Sequence, residues 1–199
     1  MYSLKQDFKR GLLPNSVTTF GLLMIPPIIL FHRENGLIWS LLYFVVAWLC
    51  DWLDGLLARK YKMTSRIGEF FDPLADKIFT WSMLIYFWER IPPYVGPAII
   101  TFGLLATLGR CIILASGRKF IDSIDVMAGK AGKFKVNFEK SGLVAIILAD
   151  IFLFYTHQEL VYQIFMFVSQ LGLILSLPLA GLSFYQIMLK LRRLYREQT

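Results

Sequence analysis

The sequence predicts an all-α protein that crosses a membrane several times, on the evidence of its composition, its long apolar runs and its charge placement. Hydrophobic residues make up 56% of the 199 residues, aromatic residues make up 16%, and the mean hydropathy is +0.56. A typical soluble domain is roughly 45–50% apolar. We therefore expect a bilayer to surround most of the chain, with its backbone polar groups satisfied inside helices.

Six apolar stretches have about the length that a membrane-crossing helix needs, which is roughly 20 residues. The sixth is longer than one crossing requires, so we expect it to tilt or to continue beyond the membrane, with Pro178 as a possible kink. The stretches cover residues 15–31, 37–58, 73–88, 95–116, 138–155 and 160–189.

The first thirteen residues predict a different element, a short amphipathic helix lying on the membrane surface. The transmembrane domain then covers residues 14–199. The pattern consists of apolar Leu4, Phe8 and Leu12 together with basic Lys5, Lys9 and Arg10.

Lysine and arginine are distributed unevenly between the two predicted faces of the membrane. Of the 21 such residues, all but Arg33 and Arg90 fall on the face that holds both termini and the loops after the second and fourth spans. Basic residues concentrate on the cytoplasmic side, so we expect both termini there.

The aromatic residues lie inside the apolar runs and not among the basic ones, which argues against nucleic-acid binding. Cys50 and Cys111 lack the spacing of a disulfide framework or a zinc site.

Four aspartates cluster where the second span ends and the third begins. Asp51 and Asp54 are three residues apart, and Asp72 and Asp76 are four apart, so each pair shares a helix face. A charged carboxylate in an apolar span costs about 2.5–3.5 kcal/mol on insertion scales, so four of them indicate a compensating cation. Carboxylate oxygens suit Mg²⁺ or Mn²⁺, which commonly bind pyrophosphate. Ion pairing or helix capping, for example by Asp72 before Pro73, is the simpler alternative.

The residues between the aspartates also suit a phosphate ligand, because Gly55 and Ala58 leave space beside the helix and Arg59 carries a planar guanidinium. The complete pattern resembles the signature of the CDP-alcohol phosphotransferase family at every fixed position. That family also has about six spans preceded by a short amphipathic segment. The matching residues are Asp51, Asp54, Gly55, Ala58, Arg59, Gly68, Asp72 and Asp76, with two, two, eight, three and three residues in the gaps.

This resemblance implies transfer of a phosphatidyl group from CDP-diacylglycerol to a small alcohol, with release of CMP. It implies that Asp51, Asp54, Asp72 and Asp76 hold two divalent ions, Mg²⁺ or Mn²⁺, and that Asp76 is also the general base. It further implies a homodimer in a bacterial plasma membrane, with the active site facing the cytoplasm. The nucleotide and pyrophosphate would be bound by Asn15, Thr18, Gly55, Ala58, Arg59 and Gly68.

The acceptor is predicted from basic residues around the loop after the fourth span. Gly132-Lys133-Phe134-Lys135 resembles the Gly-Lys-x-Lys element of the phosphatidylglycerophosphate synthase branch of the family, which implies glycerol 3-phosphate as the acceptor. The segment 72–77 resembles that branch and the cardiolipin synthases. The residues expected to bind the acceptor are Arg110, Arg118, Lys133 and Lys135.

Several alternatives to this acceptor and to this class of protein stay open. Met24 and Cys111 depart from the branch, which usually has an arginine and an acidic residue there, so inositol phosphate and phosphatidylglycerol remain rival acceptors. The basic residues could instead follow membrane topology or bind anionic lipid. A transporter also uses intramembrane carboxylates, but usually shows internal repeats or broken helices.

Overall fold

The structure is a computed structural model in which residues 16–61, 66–115 and 130–196 are described. Side chains are described for these residues except 54–61, 66–73, 110, 113–115, 130–131, 133, 190 and 193–196. The predicted surface helix at residues 1–13, Asn15 and Arg118 lie outside the described residues. The predicted all-α class is confirmed, because the described ranges contain helices and no strand.

The helices follow one another along the chain with short connections. A short 3₁₀ helix, Trp88–Arg90, follows α4. The α-helices are α1 (residues 16–23), α2 (Ile25–Arg33), α3 (Leu37–Tyr61), α4 (Arg66–Tyr86), α5 (Val95–Ala115), α6 (Lys130–Thr156) and α7 (Glu159–Arg196).

Most of the described residues in each predicted span are helical, which supports a helical membrane protein. Within the described ranges, Ser16–Arg33 and Glu159–Leu189 are long and apolar enough to cross a membrane, while Leu37–Leu53 and Val95–Gly109 are shorter apolar segments. Helix α7 continues for 38 residues through Pro178. At 1.5 Å per residue its length is about 57 Å, so it exceeds the roughly 30 Å of a hydrocarbon core, as expected for the sixth span.

The first predicted span is divided at Met24, between α1 and α2. Pro26 and Pro27 have no N–H to donate to the carbonyls one turn earlier, so the helix cannot continue unchanged. Instead the Met24 N–H donates to the Gly21 carbonyl at 3.2 Å, and the Ile28 N–H donates to the Met24 carbonyl at 3.1 Å. The two prolines then occupy the first turn of α2, where a missing N–H is tolerated.

The third predicted span begins at about Pro73, but the helix that carries it begins earlier. Helix α4 begins at Arg66 and includes both Asp72 and Pro73. Asp72 is therefore inside the helix and does not cap it, which removes the capping alternative for this residue. Helix α3 likewise extends to Tyr61, so the residues of the aspartate motif occupy two long helices separated by four residues.

The chain forms two compact units. The first comprises Met1–Tyr86 and Ile147–Tyr162, and the second comprises Phe87–Ile146 and Gln163–Thr199. In the first unit α2 packs on α3 and α4, around the fully buried side chains of Ile28, Phe44 and Met83. The buried Ser40 hydroxyl of α3 donates to the Ile28 carbonyl of α2 at 2.9 Å, which ties these two helices together.

In the second unit α6 and α7 approach closely at two glycines. A Cβ at Gly142 would lie 3.1 Å from the Ser169 carbonyl oxygen and 3.0 Å from Leu173 Cγ. A Cβ at Gly172 would lie 3.3 Å from the Phe138 carbonyl oxygen. Small residues are common at such crossings because helices in a bilayer associate through close packing and not through the exclusion of water.

We expect Gly142→Leu to destabilise the protein by about 1–3 kcal/mol, because the α7 backbone beside it cannot move aside without opening the crossing. The matched control is Gly181→Leu on α7, where an added Cβ would meet nothing within 4 Å. The control should be neutral or slightly stabilising, since leucine has the higher helix propensity. Thermal unfolding in detergent measures both, and equal melting temperatures would contradict the crossing.

Candidate active site

The site is organised by an aromatic contact between α3 and α4. The rings of Phe44 and Phe79 meet edge to face, with centroids 5.1 Å apart and planes at 69°. Both side chains are buried. Pairs of this geometry contribute about 0.5–1.5 kcal/mol beyond the burial of their area. Since four residues separate α3 from α4, the two helices run antiparallel, and this contact sets how far one is shifted along the other.

That contact places two of the predicted metal ligands opposite each other. Asp51 follows Phe44 by seven residues, and Asp72 precedes Phe79 by seven residues. Seven residues span about 10 Å along a helix and return to the same face within about 20°. On regular antiparallel helices, positions 51 and 72 would therefore lie at the same level on the facing sides of α3 and α4.

The other two aspartates flank this level, one on each helix. Asp54 lies one turn beyond Asp51, and Asp76 lies one turn closer to Phe79 than Asp72 does. The side chains of Asp51 and Asp76 are half-buried and both make polar contacts. Among the described side chains no three potential metal ligands form a group. The carboxylates of Asp54 and Asp72 lie outside the described side chains, so that finding does not bear on the complete set of four.

Helix α1 lines the same end of α3. A Cβ at Gly21 would lie 3.4 Å from Cys50 Cβ and 3.5 Å from the Ala47 carbonyl oxygen, so the two helices nearly touch there. Thr18 lies one turn before Gly21, in the direction in which Asp51 follows Cys50. The Thr18 side chain is 6% exposed and makes polar contacts. The predicted nucleotide-binding threonine therefore lies at the level of Asp51.

The remaining predicted nucleotide-binding residues lie on the same two helices. Gly55, Ala58 and Arg59 occupy the last turns of α3, and Gly68 lies in the first turn of α4. Their backbones thus continue α3 and α4 past the aspartates toward the connection between these helices. The Arg59 guanidinium lies outside the described side chains.

The predicted acceptor-binding residues belong to the second unit. Lys135 on α6 is half-buried, and its Nζ forms an ion pair with Glu139 Oε1 at 3.3 Å. Arg110 lies on α5 and Lys133 on α6, although their side chains are not among those described. Sequence reasoning missed Glu139, which is 2% exposed. Its position four residues after Lys135, at the start of an apolar run, was the available signal.

The predicted first and fifth spans end at residues 31 and 155, so the sequence predicts His32 and His157 in outer loops, solvated or at the membrane interface. For His32 this prediction is wrong. His32 is in α2 and buried, and it contacts Tyr86 of α4 and Asp150 of α6. His157 is exposed and has a positive φ of 52° at the connection between α6 and α7. Asp150 was the overlooked signal, because a carboxylate inside an apolar run is rarely without function.

Comparison with known proteins agrees with the family resemblance. The family profile of the CDP-alcohol phosphatidyltransferases matches residues 11–178. The chain belongs to this family. The predicted resemblance and enzyme class are thereby confirmed: it is a membrane transferase of phospholipid biosynthesis.

Relatives within the CDP-alcohol phosphatidyltransferases are about a third identical to this chain over the aligned segments. A protein of Aquifex aeolicus is 34% identical over 149 residues, covering 70% of this chain and 77% of its own length. A protein of Blochmanniella floridana is 34% identical over 123 residues, which cover 56% of this chain. The match spans 63% of that protein's length, which is less than two thirds. A protein of Haemophilus influenzae is 38% identical over 93 residues, which cover 42% of this chain and 50% of that protein. All three are named CDP-diacylglycerol–glycerol-3-phosphate 3-phosphatidyltransferase.

We expect Phe44→Ala to destabilise the protein by about 3–5 kcal/mol and to lower transferase activity in the molecules that remain folded, because it removes the contact that aligns positions 51 and 72. The control is Leu42→Ala on the same helix, where the side chain is 49% exposed. It should cost less than about 1 kcal/mol and leave activity unchanged. Melting temperature and activity per folded molecule are the measurements. Full activity in folded Phe44→Ala would show that the alignment does not depend on this contact.

Proposed function

We propose that the chain transfers the phosphatidyl group of CDP-diacylglycerol to glycerol 3-phosphate, giving phosphatidylglycerophosphate and CMP. The opposition of positions 51 and 72 across the Phe44–Phe79 contact carries this proposal, because it brings the two halves of the family signature together. The substrates follow from the names of the relatives and from the basic residues of α5 and α6.

The four aspartates are the proposed ligands of two divalent ions, Mg²⁺ or Mn²⁺. The donor set fits, because these ions prefer hard carboxylate oxygens and because four carboxylates on two largely apolar helices need positive charge nearby. Such ions, when bound, neutralise negative charge on the pyrophosphate and on the transition state. The described carboxylates, Asp51 and Asp76, lie on facing helices within about one helical turn of the same level.

Asp76 is the proposed general base. Its carboxylate accepts the proton of the acceptor hydroxyl, whose oxygen attacks the phosphorus that bears the diacylglycerol, and the bond from that phosphorus to the CMP oxygen breaks. General bases contribute typically about 10²- to 10⁴-fold, so most of the acceleration comes from positioning and charge stabilisation.

The nucleotide lies, in this proposal, along the ends of α1, α3 and α4. Gly55, Ala58 and Gly68 leave room for the cytidine, and Arg59 binds phosphate oxygens through its planar guanidinium. Thr18, near the level of Asp51, and Asn15, three residues earlier in the sequence, contact the pyrophosphate.

The membrane arrangement proposed for the chain has six spans, with residues 1–13 as a surface helix and both termini in the cytoplasm of a bacterial cell. The distribution of lysine and arginine supports this orientation. The active site then faces the cytoplasm, where glycerol 3-phosphate and CMP are soluble. A homodimer is proposed from the family resemblance.

We expect Asp51→Asn, Asp54→Asn and Asp72→Asn each to abolish turnover through weaker metal binding, because an amide oxygen is an uncharged and poorer ligand. Asp76→Asn should mainly lower kcat, by about 10²-fold or more, and retain part of the metal affinity. Glu89→Gln, at an exposed carboxylate outside the motif, is the control. Release of CMP and Mn²⁺ binding to the purified enzyme are measured. Normal turnover and metal affinity in any of the first three variants would remove that residue from the ligand set.

We expect glycerol 3-phosphate to be the preferred acceptor. Arg110→Ala or Lys135→Ala should reduce the rate of transfer to glycerol 3-phosphate about tenfold to a hundredfold, because each removes a charge-assisted hydrogen bond. CDP-diacylglycerol binding should change much less. Arg33→Ala, at an exposed arginine on the predicted opposite face, is the control. Purified enzyme is supplied in turn with glycerol 3-phosphate, inositol phosphate, inositol, serine and phosphatidylglycerol. Preference for inositol or serine would contradict a phosphate-binding pocket, and preference for phosphatidylglycerol would assign the cardiolipin reaction.

A further inference from the structure

A buried polar cluster joins three helices of the first unit, and the proposed function does not use it. His32 of α2 lies between Tyr86 of α4 and Asp150 of α6. Its Nδ1 is 2.9 Å from the Tyr86 hydroxyl oxygen, and its Nε2 is 2.9 Å from Asp150 Oδ2. The side chains of His32 and Asp150 are each 8% exposed. The His32 and Tyr86 rings meet edge to face with centroids 5.4 Å apart.

The cluster holds the imidazole at both ring nitrogens. With a neutral ring, Nε2–H donates to Asp150 and the Tyr86 hydroxyl donates to Nδ1; with a protonated ring, both nitrogens donate. In either state two directed hydrogen bonds fix the orientation of His32 between α4 and α6. Hydrogen bonds in a low-dielectric interior strengthen one another, and a buried group that loses its partner is costly. Such a cluster therefore resists sliding and rotation of the helices that it joins.

Tyr86 lies on the helix that carries the proposed general base. It follows Asp76 by ten residues, or about 15 Å along α4, and points within about 80° of it around the helix axis. Thr80 and Met83, between them on this side of the helix, are buried. A carboxylate lies about 6 Å from the helix axis, so rotation of α4 by 20° would displace it sideways by about 2 Å. Displacements of about 1 Å at a reacting group can lower a rate about 10²-fold.

We propose that Tyr86, His32 and Asp150 are positioning residues for the transfer reaction. They hold α4 at the rotation at which positions 72 and 76 face the side of α3 that carries Asp51 and Asp54. The Phe44–Phe79 contact sets the level of α4 along α3, and the polar cluster sets its rotation at the opposite end of the helix. This proposal rests on the proposed function, because it assigns these residues an effect through the aspartates.

The sharpest test is Tyr86→Phe, which removes one hydroxyl and keeps the ring against His32. We expect kcat to fall about tenfold and the Mn²⁺ concentration for half-maximal binding to rise about threefold, while KM for glycerol 3-phosphate stays within about twofold. The matched control, Tyr94→Phe, alters a tyrosine that is 63% exposed and should match the wild type. Mn²⁺ binding is followed by electron paramagnetic resonance on the purified enzyme, independently of turnover.

A second variant, Asp150→Asn, keeps the side-chain volume but weakens the hydrogen bond from Nε2, because an amide oxygen is a weaker acceptor than a carboxylate. It should shift kcat and Mn²⁺ affinity in the same direction as Tyr86→Phe. Wild-type kcat and Mn²⁺ affinity per folded molecule in Tyr86→Phe would overturn the proposal. So would losses in both variants that are accounted for entirely by a smaller folded fraction, since the cluster would then only stabilise the fold. Asp76→Asn tests the proposed function separately: its full activity would refute the general base, whatever Tyr86→Phe shows.

Discussion

The cost of carboxylates in apolar surroundings is the constraint on which the rest of this structure depends. Four aspartates on two largely apolar helices are tolerated only if positive charge lies nearby, and the proposed pair of divalent ions would meet that need. The helices must then face each other at one level, with little freedom to slide. The edge-to-face contact of Phe44 with Phe79, two turns from both Asp51 and Asp72, provides that alignment without adding a polar group.

Close helix packing supplies the rigidity that such an alignment requires. Between apolar helices in a bilayer there is no aqueous phase to drive association, so stability depends on how closely the backbones approach. Gly21 lets α1 lie against Cys50 of α3, which brings Thr18 to the level of Asp51. In the second unit Gly142 and Gly172 serve the same purpose where α6 crosses α7. Glycine is used in both units to place helices that carry candidate binding residues.

Buried polar side chains away from the aspartates also have a spatial role. His32 connects α2, α4 and α6 through two hydrogen bonds, and Glu139 forms an ion pair with Lys135 in a region that is almost fully buried. An ion pair of this kind restricts the rotamers of the lysine, which would pre-position the ammonium group for the proposed acceptor. Removing one partner leaves the other charge buried and uncompensated.

Local spacing by itself determined the helical class, the positions of the apolar stretches and the aspartate motif, because helical periodicity and helix length are properties of short segments. The break at Met24 and the start of α4 at Arg66 depended on how individual prolines were accommodated, which differs between Pro26–Pro27 and Pro73. The contacts of His32 were decided only by tertiary structure. Tyr86 and Asp150 are 54 and 118 residues away from it, and no local pattern encodes which helices meet.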